Sequence, residues 1–219
     1  MDLGAVGMEV GIGALGRHRQ CLYSDGVPGT ARRVNLPGGY HAGHIAEDQR
    51  AAFDELVQLR GGVPASGPGS VMLNAPEVAK RALGLAGFLR GEDSSLARRI
   101  RELAMLVAAR ENDCQFIWNA HAPYARTAGL RDDIVDALRD KNELPRLADD
   151  EAAVINYGRE FFRTRRVSQS SFDAALNQFG VQGLTELTTL MGCYSMLAFN
   201  VNAFGVELPA ERTEKALPI

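Results

Sequence analysis

Between Glu111 and His121 the chain places a thiol, Cys114, seven residues before an imidazole, His121, with its single tryptophan, Trp118, between them. On a helix, positions i, i+4 and i+7 share one face, so these three side chains are expected together. Glu102 stands twelve residues before Cys114, and its neighbours at i+3, i+4 and i+7 are Met105, Leu106 and Ala109. A carboxylate projected from such an apolar face is desolvated, which raises its pKa and suits it to moving protons. An imidazole serves as general acid or base near neutrality. A thiol beside an imidazolium or a helix start is drawn toward thiolate, its reactive form. Each residue also has an ordinary reading. Free Cys is among the most buried residue types. His121 reads equally as a buried polar group with a partner, and Glu102 lies near Arg98, Arg99 and Arg101, any of which can simply pair with it.

The surrounding pattern is helical. From Glu47 onward apolar residues recur at helix spacing, as in "EDQRAAFDELVQLR", which ends at Gly61, Gly62 and Pro64. "NAPEVAKRALGLAGFLR" offers Asn74 as an N-cap and Pro76 in the first turn. "SSLARRIRELAMLVAARE" offers Ser94 or Ser95 as its cap and has a nearly all-apolar middle, the mark of a buried helix. "CQFIWNAHAPYARTAG" follows, with a kink expected at Pro123 and an end at Gly129. "RDDIVDALRD" reads as a short amphipathic helix. "DDEAAVINYGREFFRTRR" opens on acidic residues that suit the helix dipole. "SQSSFDAALNQFG" is capped by Ser and ends on Gly180, and "QGLTELTTLMGCYSMLAFNVNAFG" forms the last long helix. No strand alternation is evident, so the fold class is all-α.

The totals bound the function. The chain has 219 residues, 46% of them hydrophobic and 23% charged, with a net charge of −3, which allows one well-filled domain. Basic residues occur at most as pairs such as Arg98–Arg99 and Arg165–Arg166, so no nucleic-acid partner is expected. Three cysteines, far apart, argue against a disulfide scaffold and for a reducing cytoplasm. "TLMGCYSMLAFNV" is too short to span a bilayer, so no membrane partner is expected. Residues 1–40, rich in Gly and without a basic start, read as a flexible N-terminal extension. His41 and His44 form an i, i+3 pair in a Gly-rich loop, but no third ligand is apparent and a metal site is not expected. "GVPASGPGS" lacks the lysine of a phosphate loop. Cys193 reads as helix packing. Leu187, Leu190, Met191, Tyr194, Leu197, Ala198 and Val201 form a broad apolar stripe on the last helix, with Phe199 and Phe204 to its side. Such a helix can serve a core and a second copy at once.

The order Glu102, Cys114, His121, set in "RIRELAMLVAARENDCQFIWNAHAPYARTAGL" and followed by "RDDIVDALRD", resembles the carboxymuconolactone decarboxylase family of the alkylhydroperoxidase D superfamily. The core of the resemblance spans about residues 74–140, and the two segments after Asp149 are similar to the C-terminal part of decarboxylase-like members. It implies an alkylhydroperoxidase D-like helical bundle, with residues 41–219 as one domain, and a homo-oligomer. In the peroxidase branch a CxxC is followed by a histidine four residues after the second Cys, and an upstream glutamate relays a proton. That glutamate falls on Glu102, the first Cys on Cys114 and the histidine on His121. The second Cys, which attacks peroxide, falls on Ile117, so no disulfide cycle is possible within the motif. A peroxidase built on Cys114 would need Cys21, Cys193 or an outside thiol to complete its cycle.

The decarboxylase branch needs no metal or organic cofactor. There the resemblance implies that a lactone acid loses carbon dioxide and the enolate-like carbanion is reprotonated. His121 is the expected proton donor, Glu102 tunes or relays, and Cys114 is a second donor or part of the pocket lining. Trp118, Phe116 and Ile117 are expected on the substrate pocket, and Arg101 or Arg126 either meets an anionic substrate or lies on solvated surface. The expectation is therefore a cofactor-free decarboxylase-like enzyme acting on a small carboxylated or lactone substrate. A thiol-dependent peroxidase using Cys114 is the alternative, and a noncatalytic helical oligomer the third.

Overall fold

The computed structural model describes residues 45–64 and 66–219. The extension expected over residues 1–40, with Cys21, and the His41/His44 pair lie outside the described residues. Among the described residues there are helices and no strand, so the all-α expectation holds. A 3-10 turn at Glu47–Gln49 leads into α1 (Arg50–Arg60), followed by α2 (Gly67–Met72), α3 (Pro76–Arg90), α4 (Arg98–Glu111), α5 (Gln115–Thr127), α6 (Asp132–Asp140), α7 (Asp149–Thr164) and α8 (Gln169–Phe204). No described helix is long and apolar enough to cross a membrane.

The bundle is organised around α4. Every residue from Ile100 to Arg110 is buried, and α5, α7 and α8 all pack against it. The apolar run leaves α4 no solvent face, as its sequence implies. α7 approaches most closely at Gly158, where an added Cβ would lie 2.7 Å from Val107 Cγ1 and 2.8 Å from Met191 Cε. Gly158→Ala is therefore expected to destabilise the protein by up to about 2 kcal/mol: overpacking costs about 1–3 kcal/mol and the gain in helix propensity returns about 1. Chemical denaturation checks this, and the midpoint should fall with an unchanged slope. Within α8, Gly180 has φ 66 and ψ −179, a break where sequence places the end of one helix and the start of the next. The stripe of α8 from Leu187 to Val201 is buried, while Phe199 and Phe204 are exposed. On α3, Val78, Leu85 and Phe88 are also exposed.

Two helix starts differ from the sequence reading. α3 begins after Ala75, with Pro76 in its first turn. The residue before a proline is steered away from helix, and Pro76 brings no N–H that needs a cap. Asn74 instead turns its side-chain amide back to the Val71 carbonyl at 2.6 Å. α4 begins after Ala97 rather than at Ser94 or Ser95. The Ser94 hydroxyl and the Ser95 amide donate to Glu186 on α8, at 2.7 and 2.8 Å. A buried carboxylate competes for these donors more strongly than a helix end does. Burial alone would raise the pKa of Glu186, but hydrogen bonds from Gln182, Ser94 and Ser95 outweigh it and hold it below the ordinary 4.5. A depressed folded pKa contributes stability above the unfolded pKa that is lost as pH falls through the folded one. Glu186→Gln is thus expected to cost about 1–2 kcal/mol at neutral pH. The gap to the parent protein should close as pH drops below about 4 in thermal melts.

After α8 the chain returns across the start of α5. Leu217 is fully buried, its carbonyl accepts from Gln115 at 2.7 Å, and Arg110 donates to the Pro218 carbonyl at 2.8 Å. These bonds fix the α4–α5 turn that carries Cys114.

Candidate functional site

Glu102 lies in the second turn of α4, His121 in the middle of α5 and Tyr194 in the inner stripe of α8. Packing of α5 and α8 on α4 brings the three side chains into one chain of hydrogen bonds. His121 Nδ1 is 2.9 Å from Glu102 Oε2, and the Tyr194 hydroxyl is 3.2 Å from His121 Nε2. All three residues are buried. A carboxylate can only accept, so the pairing directs the Nδ1 proton to Glu102 and leaves Nε2 to accept from the phenol. The partners thus assign the tautomer, in the way a carboxylate orients the imidazole of a nucleophilic triad. Burial pushes the Tyr194 phenol well above its ordinary value, so it keeps its proton throughout the neutral range. The arginines near Glu102 in sequence are engaged elsewhere. Arg99 holds Asp150 and Glu151 at the start of α7. Arg101 donates to the Leu96 carbonyl and pairs with Glu92.

His121 and Tyr194 open onto a pocket of about 190 Å³. Phe116, Ile117 and Leu197 supply apolar wall, together with Leu83 and Ala86 from α3. Arg60 at the end of α1, Pro64 and Ser66 in the connection, and Gly67, Pro68 and Gly69 at the start of α2 complete the lining. Gly67 has φ +80, and a Cβ there would meet the Phe116 ring at 2.8 Å. Only glycine lets this segment lie so close over the start of α5. Two cations also line the pocket, Arg60 at the end of α1 and Arg90 at the end of α3.

Cys114 and Trp118 are placed differently. Cys114 occupies the N-cap of α5. Both residues are fully buried, and neither lines the pocket. Burial pushes the Cys114 thiol above its ordinary 9.0, and the backbone N–H groups of Ile117 and Phe116 offset this only in part. Cys193 is likewise buried, with its thiol raised by burial. Of the arginines read from sequence as candidate counter-ions, Arg101 is bonded as above. Arg126 is held by Glu214, Asp132 and Asp136. Among the described residues no group of three or more His, Cys, Asp or Glu side chains is placed to hold a metal.

Sequence reasoning did not single out Tyr194, Arg60 or Arg90 as functional. Tyr194 falls in the apolar stripe of α8 and reads as packing. Arg60 and Arg90 sit in last helical turns, where a cation satisfies the helix dipole without further purpose. A tyrosine in a stripe of aliphatic residues was the one available hint, because a buried phenol needs a partner.

Residues 76–160 match the model of the carboxymuconolactone decarboxylase family, from the start of α3 into α7. No curated protein matches the chain. Solved structures with the same fold include an Agrobacterium tumefaciens protein of unknown function described as a putative antioxidant defence protein AhpD. It is 20% identical over 64% of this chain and 96% of its own, with a TM-score of 0.58. A Ralstonia eutropha JMP134 protein, described as an uncharacterized peroxidase-related protein with an alkylhydroperoxidase AhpD core, is 14% identical over 83% and 95%, with a TM-score of 0.61. An uncharacterized peroxidase-related protein from Silicibacter sp. TM1040 is 15% identical over 84% and 96%, with a TM-score of 0.60. At these identities the likeness establishes the alkylhydroperoxidase D-like helical fold.

Proposed function

From an alkylhydroperoxidase D-like fold whose residues 76–160 match the carboxymuconolactone decarboxylase family, we propose a proton-transfer enzyme that acts on a small carboxylated or lactone substrate. The observation that carries this reading is the unbroken Glu102–His121–Tyr194 hydrogen-bond chain at the wall of a largely apolar pocket. In the reaction the bond to the departing carbon dioxide leaves its electron pair on the substrate as an enolate-like carbanion. His121 takes up a solvent proton at Nε2 and delivers it to the carbanion, returning to the neutral imidazole, and Glu102 stabilises the transient imidazolium across Nδ1. Tyr194, which keeps its own proton, can donate a hydrogen bond to the enolate oxygen. The apolar wall excludes water and strengthens each of these interactions.

The test is turnover of a panel of small lactone acids in D2O. Carbon dioxide release and one deuterium in the product are expected from the parent protein and not from His121→Gln. Equal labelling by both proteins would remove His121 from the reaction.

The thiol peroxidase is the second reading, supported by the descriptions of the Ralstonia and Silicibacter proteins. Here it would rest on Cys114, which is buried and away from the pocket wall. A noncatalytic oligomer is the third, and the open pocket beside His121 weighs against it. Self-association is part of the proposal, with the exposed Val78, Leu85 and Phe88 of α3 as an apolar stripe for it.

A further inference from the structure

We infer that Arg60 and Arg90 form an oxyanion clamp that selects substrates with a free carboxylate on a small apolar body. The inference rests on this pocket being the substrate site, and it does not require His121 to be the proton donor.

Both guanidiniums line the same pocket as His121 and Tyr194. The arginines that enter the body of the fold elsewhere, Arg99, Arg101, Arg110, Arg126 and Arg139, each hold a carboxylate. Among the described residues neither Arg60 nor Arg90 pairs with a carboxylate; Arg90 donates to the Ala86 carbonyl at 3.3 Å and lies within hydrogen-bonding reach of the Tyr194 hydroxyl. The two cations also oppose each other: burial and the charge of Arg90 together depress the Arg60 guanidinium from its ordinary value. Two like charges on one pocket wall repel, and a carboxylate bound between them offsets that repulsion. The planar guanidinium fork matches a carboxylate with two parallel hydrogen bonds.

The rest of the wall defines the remainder of the ligand. Leu83, Ala86, Phe116, Ile117 and Leu197 ask for an apolar body. The volume of about 190 Å³ lies below the roughly 300–1,000 Å³ of pockets for drug-sized ligands. A short-chain or single-ring acid fits this description. Arg90 lies beside Tyr194, whose phenol feels its charge. A carboxylate on Arg90 therefore lies next to the hydrogen-bond chain. Arg60 comes from α1, ahead of the segment that matches the family. The clamp is thus completed by a part of this chain that the family match does not include.

Calorimetric titration of the full chain at low ionic strength with benzoate, propionate, neutral benzamide and inorganic phosphate tests the clamp. Benzoate and propionate should bind, and raised salt should weaken them. Benzamide should bind at least about tenfold more weakly than benzoate, and Arg60→Gln and Arg90→Gln should each weaken benzoate about tenfold. Arg60→Lys and Arg90→Lys keep the charge without the fork and should fall between, which covers a glutamine variant that fails to fold. Benzoate binding is read without turnover, so loss of turnover in His121→Gln bears on the proton relay, whereas loss of benzoate binding in the arginine variants bears on the clamp. Equal binding of benzamide and benzoate, arginine variants that bind benzoate like the parent, no carboxylate binding at millimolar concentration, or tighter binding of phosphate would each overturn the clamp.

Discussion

Replacing His121 with glutamine should lower kcat/KM on a turned-over lactone acid by about 10²–10⁴-fold, the range a positioned general acid supplies. Glutamine keeps a polar side chain of similar reach but cannot deliver a proton from imidazolium. The loss should appear mainly in kcat, because the groups proposed to hold the substrate lie elsewhere on the wall. Glu102→Gln should have the same sign and a smaller size. The Nδ1 contact at 2.9 Å survives in form, but a neutral amide no longer stabilises the imidazolium. Tyr194→Phe removes the contact to Nε2 while keeping the ring that packs edge-on against His121, with centroids 5.1 Å apart. The three effects should fail to add, because the residues act as one chain.

Cys114 should be inert in the folded protein. At neutral pH its oxidation by an organic hydroperoxide, followed by intact mass, should be at least about 10²-fold slower than in the urea-unfolded chain, and Cys114→Ser should retain turnover. The thiol is fully buried and held protonated by that burial. Rapid oxidation confined to Cys114 would instead move the peroxidase reading to first place. The same burial has a consequence for alkaline stability. A folded pKa raised above the unfolded one contributes stability that is fully present below the unfolded value and is lost as pH climbs toward the folded value. Cys114 and Cys193 are both raised from 9.0 and Tyr194 from 10.0. Stability should therefore decline from about pH 9 upward, and Cys114→Ser should flatten the first part of that decline.

The helices themselves were legible because their periods are local. The buried run of α4, the acidic start of α7 and the break at Gly180 each follow from a few neighbouring residues. Glycine at a helix end announces itself, since few other residues adopt its backbone. The starts of α3 and α4 depart from the local pattern because a distant or neighbouring group competes for the capping side chain. Asn74 serves the Val71 carbonyl, and Ser94 serves a glutamate 92 residues away.

The site divides in the same way. Spacing places Cys114, Trp118 and His121 on one face of a helix, yet His121 alone of the three reaches the pocket. Cys114 is the capping residue of α5, where the chain turns inward from α4, and Trp118 fills the interior between the helices. The pairing of Glu102 with His121 was suggested by family resemblance, since nothing local links two residues on different helices. Tyr194 lies 73 residues from His121. Arg60 and Arg90 meet only because α1 packs on α3. Such partners depend on tertiary packing, and a period of 3.6 residues carries no trace of them.

The proton relay is tested most directly by the nitrogen-15 chemical shifts of the His121 ring, at a pH alkaline enough to leave the imidazole neutral and the protein folded. The relay predicts a protonated Nδ1 and a lone-pair Nε2 in the parent protein, with that preference weakened in Glu102→Gln and the Nε2 shift moved in Tyr194→Phe. A proton on Nε2, or two tautomers averaging freely and indifferent to both substitutions, would contradict it.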